Sequence, residues 1–354
     1  MHGQRETGRK GRRAAGLALA GILLVLLLTG CTAEGPLKRY QLSSVELFDT
    51  VTMITGYAKS EAAFRGEADA LLGELREYHQ LCDAYHTYPG MSNLKTINDA
   101  AGGDPIRVDA RLLALLQFAK ELAEETRGTV DVTLGPVLRL WHAAREQGLE
   151  HPETAGVPER AALEAALAHC GWEHVELDEA AGTVRLTDPE AALDLGAVAK
   201  GYAAQRVCET RSGSLLVNLG GNVCATGPKP DGEPWTVGVQ DPDGTGSDYL
   251  LVVTLSRGAV VTSGDYQRYY EVAGVRYHHL IDPETLEPGR RWRAVTVLHE
   301  DSGLADGLST ALFLMDREQG EALLRETGGE ALWISPEGEM LMTDGYAERM
   351  RSLP

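Results

Sequence analysis

The sequence predicts an α+β fold of mixed α/β type, rich in antiparallel sheet with packed helices, and three observations carry that prediction. Apolar residues recur at helical spacing through the first half of the chain. From His174 onward, short stretches of alternating apolar and polar residues follow one another across tight Gly-containing turns. No G-x-G-x-x-G opens a helix, so a doubly wound dinucleotide fold is not indicated. No low-complexity linker interrupts the pattern, which reads as one compact unit with room for two lobes.

Taken in chain order, the first thirty residues stand apart. Arg5, Arg9, Lys10, Arg12 and Arg13 precede an apolar run over residues 14–28, and Leu28-Thr29-Gly30-Cys31 follows. A basic start, a short apolar region and small residues before a cleavage point mark an export signal over residues 1–30. The run is too short and too abruptly ended for a membrane-spanning helix, which needs about 20 apolar residues. A Cys directly after Leu-Thr-Gly has the form of a bacterial lipobox. Cys31 is therefore expected to carry lipid and to hold an exported protein at the membrane on its extracytoplasmic side, an uncleaved signal anchor being the alternative. Residues 31–41 read as a tether and residues 42–350 as the folded domain.

Within the domain, Ala68, Leu71, Leu72, Leu75, Tyr78 and Cys82 follow Phe64 at helical spacing. A second helix starts near Ala110 and runs through Leu112, Leu113, Leu116, Phe118 and Leu122, with Gly128 placed as a C-terminal cap. A third ends at Gly171. Residues 174–186 read as a hairpin about Ala181-Gly182, and further strands follow in SLLVNLGG, WTVGVQ, YLLVVTLSRGAVVTSG, RYYEVAGVRYHHLID and RAVTVL. Helices over residues 304–315 and 318–326 and a hairpin through SPEGE close the chain.

The 354 residues carry a net charge of −19, and removal of the signal, with five bases against one acid, makes the remainder more acidic still. That argues against nucleic acid as a partner, because phosphate binding needs a basic surface. Docking on anionic lipid by charge is disfavoured for the same reason. Cys82, Cys170, Cys208 and Cys224 form no C-x-x-C pair, so neither a zinc site nor a redox dithiol is indicated, and free thiols are favoured over a disulfide.

Three constellations could carry chemistry. Asp194 and Lys200 interrupt an apolar stretch six residues apart, a spacing that puts them far apart around a single helix. A strand end at residues 192–195, a turn at Gly196 and a helix from Ala197 instead put Lys200 in a first helical turn, where N–H groups favour an anion such as phosphate. An internal ion pair is the plain alternative. Asp306 and Thr310, four apart on a helix, offer a carboxylate and a hydroxyl on one face, an oxygen pair that suits Mg²⁺; back-bonding of the Thr within its helix is the alternative. Finally, Thr262, Ser263 and Gly264 end one strand, and His278, His279, Asp282 and Pro283 end the next hairpin. Adjacent histidines on a strand point to opposite faces, so one of them at most enters a given site as a base, against the alternative of a satisfied core His. Ser263 lacks the G-x-S-x-G setting of an activated nucleophile. Lesser signals are Asp131 and Thr133 after the second helix, a Tyr-, Ser- and Asn-rich loop over residues 84–99, and the Gly-Gly turn after Asn218.

Eight segments in this order, FDTVTMITGY, YPGMSNLKTIN, GTVDVTLGPVLRLW, LDLGAVAKGYAA, LVNLGGNV, TSGDYQRYY, HHLIDP and LADGLSTALF, resemble the ApbE family of flavin transferases, which move FMN from FAD to a protein. The resemblance covers nearly the whole mature chain. It implies FAD contacts from Phe48 in the FDT strand, Tyr88, Thr129, Val130, Asp131, Asp194, Lys200 and Leu280. It implies Mg²⁺ held by the Ala197 carbonyl, Asp306 and Thr310, with His279 as the base. It further implies transfer of FMN to a Thr or Ser hydroxyl with release of AMP, on acceptor flavoprotein subunits of redox-pump type. If water takes the acceptor's place, the same site hydrolyses FAD; a lipoprotein that binds FAD without turnover is the non-catalytic alternative. Three positions depart from the family pattern: Asp49 and Leu286 replace frequent glycines, and Gln205 replaces a frequent Asp.

Overall fold

The computed structural model describes residues 36–245 and 248–353. The export signal and Cys31 lie outside the described residues. Strand pairing begins at Lys38, inside the span expected as a tether.

Eight strands, Lys38–Leu47, Thr50–Ala58, Leu215–Leu219, Asn222–Ala225, Gly258–Gly264, Ala294–His299, Glu330–Ile334 and Met340–Met342, lie side by side in chain order, and every neighbouring pair is antiparallel. The remaining segments are excursions from this meander. They hold the three-stranded sheets of 350–351, 249–255 and 235–240 and of 106–107, 183–186 and 175–178, and the hairpin 269–278. The helices of the described residues are α1 (Glu61–Cys82), α2 (Leu94–Asp99), α3 (Ala110–Glu125), α4 (Gly135–Glu150), α5 (Arg160–Leu167), α6 (Ala199–Glu209), α7 (Ser302–Leu314), α8 (Arg317–Thr327) and α9 (Asp344–Arg349).

The central strands of the large sheet are buried on both faces, as the apolar run GAVV at the start of strand 258–264 and the strand 294–299 reflect. Ala259, Val261, Val295, Val297, Ala331 and Trp333 point into a core shared with α1, α3, α6 and α7. Their neighbours Val260, Ala294, Leu298, Leu332 and Ile334 point the other way, onto Trp235, Val237, Leu251 and Val253 of a small sheet. A third cluster packs α4 and α5 against the hairpin 269–278 through Val137, Trp141, Leu163, Tyr270 and Leu286.

The second helix ends at Glu125 with Thr126 as its cap, two residues before the expected glycine; Arg127 and Gly128 both take positive φ, and the Gly128 N–H donates to the Ala123 carbonyl at 2.8 Å. Helix α4 has no counterpart in the sequence reading, and residues 94–99 of the expected loop form α2 behind an Asn93 capping box. All four described cysteines are free thiols, Cys208 and Cys224 buried and Cys82 and Cys170 half-buried.

Candidate active site

Helices α6 and α7 meet at a glycine. A Cβ on Gly201 would stand 2.3 Å from the Ser302 carbonyl oxygen and 2.4 Å from Asp306 Cβ, so only glycine permits the crossing. Asp306 Oδ2 accepts the Gly201 N–H at 2.8 Å. One turn along α6, Gln205 Oε1 accepts the Ser302 N–H at 2.7 Å and so caps α7; the amide thereby supplies an acceptor oxygen where a carboxylate is frequent. Asp306 is 4 % and Thr310 8 % exposed, and they share a face of α7 as their spacing predicts. Ser263 Oγ lies 2.8 Å from Ser309 Oγ and 3.4 Å from Thr310 Oγ1, so this serine engages the hydroxyls of α7.

The segment entering this crossing corrects the sequence reading. Residues 191–195 form no strand; the side chain of Asn98 brackets the Leu193 backbone instead, accepting its N–H at 2.8 Å and donating to its carbonyl at 2.9 Å. Asp194 donates its own N–H to the Val132 carbonyl at 2.8 Å, and its Oδ1 accepts the Gly196 N–H at 2.8 Å across the turn. Val198 is the N-cap of α6, so Lys200 does fall in the first turn. Among the described residues no ion pair joins Asp194 to Lys200.

The two adjacent histidines differ sharply. His278 Nε2 donates to the Gly289 carbonyl at 2.6 Å, its Nδ1 accepts the Leu280 N–H at 3.2 Å, and its ring meets Phe313 edge-on, the pattern of a satisfied core residue. His279 Nδ1 is buried without a partner. Burial first, and then the positive surroundings of Arg268, His278, Lys200 and His142, hold His279 well below the ordinary histidine range, so its ring is neutral at pH 7. His142 and Arg145, one turn apart on α4, line the same small cavity as both histidines.

The other wall is made of turns and loops. Phe48 and Asp49, expected in a strand, are the two connecting residues of a hairpin, both in the left-handed region with φ of 53° and 52°. Three contacts hold the tip: the Phe48 N–H donates to His79 Nδ1 at 3.2 Å, its ring meets His79 edge-on, and its carbonyl accepts Arg268 Nη2 at 3.3 Å. After α1 the chain presents Tyr85 and Tyr88. The Tyr85 ring stands out to solvent, but the side chains around its hydroxyl desolvate it and, with Asp194, Glu146 and Asp49, push it up to about 12. That hydroxyl lies 2.9 Å from His142 Nδ1. At Thr129, Val130 and Asp131 the bonds are local: the Val130 N–H donates to Thr126 Oγ1 at 3.2 Å, and Asp131 Oδ1 accepts both the N–H and the hydroxyl of Thr133, at 2.8 and 2.7 Å. Burial raises the Asp131 carboxyl above its ordinary value.

The model of the ApbE family matches residues 48–333. The chain belongs to the ApbE family. Among curated relatives, the FAD:protein FMN transferase of Treponema pallidum (strain Nichols) is 35 % identical over 94 % of this chain and 95 % of its own. That of Vibrio cholerae serotype O1 is 32 % identical over 86 % of this chain and 89 % of its own. The solved ApbE protein of Thermotoga maritima superposes with a TM-score of 0.78 at 32 % identity, covering 89 % of this chain and 100 % of that one. The flavin transferase ApbE from Vibrio cholerae gives 0.73 at 28 %, with the same coverage.

On this ApbE chain, Leu286 adopts a left-handed backbone that glycine would take at no steric cost. Leu286 takes φ 61°, its N–H donates to the Asp282 carbonyl at 2.7 Å, its carbonyl accepts the Trp141 indole at 2.9 Å, and its side chain is buried. Burial offsets the cost of the left-handed backbone, about 1–2 kcal/mol. Leu280, buried beside His279, accepts the Gly289 N–H at 3.0 Å. Sequence reasoning missed Tyr85, His142, Arg145 and Arg268. Only His142 and Arg145 left a trace, two basic residues at helical spacing in an unrecognised helix.

Among the described residues no group of three or more His, Cys, Asp or Glu gathers to hold a metal. The donor set expected here holds one carboxylate, one hydroxyl and one carbonyl. It fits a hard cation on one count: Asp306 is buried, engages the Gly201 N–H, and has no cationic side chain paired with it among the described residues. A buried carboxylate in that position calls for a positive partner.

Proposed function

We propose that this chain is a Mg²⁺-dependent FAD:protein FMN transferase. The observation that carries the reading is His279, a neutral imidazole with a buried, unpartnered nitrogen, set among Lys200, Arg268 and His142. A neutral histidine amid positive charge is suited to take a proton beside an anionic substrate.

In this reading the pyrophosphate of FAD lies by the first turn of α6, where Lys200 and the positive end of the helix dipole meet negative charge. Asp194, Leu280 and residues 129–131 contact the nucleotide, and Phe48 and Tyr88 contact it from the hairpin tip and the loop. The Ala197 carbonyl, Asp306 and Thr310 would hold Mg²⁺, which when bound draws off charge developing on the leaving phosphate. His279 takes the proton of an acceptor Thr or Ser hydroxyl as that oxygen attacks the phosphorus of the FMN half. A phosphoester bond forms, the anhydride bond breaks, and AMP leaves. Arg268 and Lys200 stabilise the charge that builds in the transition state. Lipid at Cys31 would hold the enzyme outside the cytoplasmic membrane, where extracytoplasmic domains of redox-pump subunits are the acceptors.

Purified protein incubated with FAD, Mg²⁺ and a candidate acceptor tests this. The acceptor should gain the mass of FMN with release of AMP. Free FMN with AMP and an unmodified acceptor would mean a pyrophosphatase, and bound FAD without AMP would mean a binding protein.

A further inference from the structure

Asp83, the C-cap of α1, carries four hydrogen bonds on one carboxylate. Oδ1 accepts the backbone N–H of Tyr85 at 2.7 Å and of His86 at 3.0 Å. Oδ2 accepts the Tyr88 hydroxyl at 2.7 Å and His86 Nδ1 at 3.1 Å. The side chain is 6 % exposed, and no neutral side chain of this size accepts so many donors on two oxygens. Burial opposes its charge, but the bonds from Tyr88 and from the Tyr85 and His86 backbone hold the carboxyl below the ordinary aspartate value.

The same loop is fixed independently from its other side. Asn93, fully buried, donates to the Gln80 carbonyl at 3.0 Å and the His86 carbonyl at 2.8 Å. Asn93 therefore sets the path of the chain, whereas Asp83 alone binds a tyrosine side chain and the backbone that aims another. Tyr85 then reaches His142 on α4, and the charge of Asp49 at the hairpin tip acts on both Tyr85 and Tyr88.

We propose that Asp83 is a positioning residue for the flavin nucleotide: it holds Tyr85 and Tyr88 in their working orientations before FAD arrives, so that binding orders little of the loop. This rests on the FMN-transferase reading. A preformed wall raises affinity by removing an ordering cost on association and leaves the chemical step untouched. Asp83 should therefore act on KM and not on kcat.

The test is Asp83→Asn, which keeps the shape and one acceptor oxygen but replaces the other by an amide NH₂ that cannot accept from Tyr88. KM for FAD should rise about tenfold, the size of a lost charge-assisted hydrogen bond, with kcat within about threefold. Tyr88→Phe should show the same split, and the double variant should be no worse than either single one, because both remove one interaction. Amide exchange over residues 83–88 in the ligand-free protein should quicken in Asp83→Asn. Asn93→Ala serves as the structural comparison and should lower the melting temperature more than Asp83→Asn does. An unchanged KM, a loss confined to kcat, or additive single and double effects would overturn the proposal while wild-type transfer stands. Failure of the wild type to bind FAD would overturn it together with the transferase reading.

Discussion

The crossing of α6 and α7 and the loop of residues 83–88 both serve the candidate cleft, but they are held in place by opposite means. The crossing is apolar and close-packed: nearly every residue of α7 is buried, and one glycine sets the approach of the two backbones. The loop is polar and sparsely packed, and hydrogen bonds to Asp83 and Asn93 determine its shape. In the proposed reaction the first arrangement would fix atoms that meet developing charge, where a small displacement costs rate. The second would fix side chains that meet the nucleotide, where loosening costs affinity. Substitutions at the crossing should therefore strike kcat or the fold itself, and substitutions in the loop should strike KM.

The largest effect expected from this contrast is at His279. His279→Gln should slow transfer by about 10²–10⁴, the usual worth of a general base, with FAD affinity retained. Loss of FAD binding with little change in kcat would move His279 to the binding side of the comparison. Asp306→Ala should lower Mg²⁺-dependent AMP release by at least about a hundredfold, and undiminished release would remove Asp306 from the metal. Next comes Gly201→Ala, whose added methyl meets backbone that cannot yield; a thermal melt should show about 1–3 kcal/mol of destabilisation. An unchanged melting temperature would show that the crossing is not glycine-limited.

The smallest effect is a pH dependence. The folded state holds His279 well below its unfolded value of about 6.5, so under acid conditions the unfolded chain binds a proton that the folded chain refuses. Stability from this group is complete above about pH 6.5 and falls as pH drops below it. His279→Gln should gain stability relative to wild type between pH 7 and 5 in paired denaturant titrations, and a constant difference would contradict the shift.

How much could be read from the chain alone follows the same division. The helices α1, α3 and α7 and most strands were legible because burial leaves periodicity, and Asp306 and Thr310 were legible because helical spacing puts them on one face. The Asp194–Lys200 corner was half legible: the turn and helix stand, but the expected strand is a segment bracketed by Asn98, 95 residues away, and side-chain bonds of that kind have no period. Phe48 falls in a turn that the sequence did not show because Phe carries no signal for a left-handed backbone, and Asp49, which tolerates one, has no glycine beside it. Tyr85, Arg268 and the Asp83 cluster went unread for a related reason, since their roles exist only through partners brought near by the fold. The segment HHLIDP hid a distinction that geometry alone supplies, with one histidine satisfied in the core and its neighbour left with a buried, unpartnered nitrogen.

The central claim, that the corner where α6 meets α7 gathers a cation and the pyrophosphate of FAD, is tested most directly by titrating Mg²⁺ into chelator-stripped protein at saturating FAD with acceptor present and measuring AMP. The account predicts release that starts near zero, rises to saturation with Mg²⁺, and collapses in Asp306→Ala. Release independent of the metal, or none at any Mg²⁺ concentration, would contradict it.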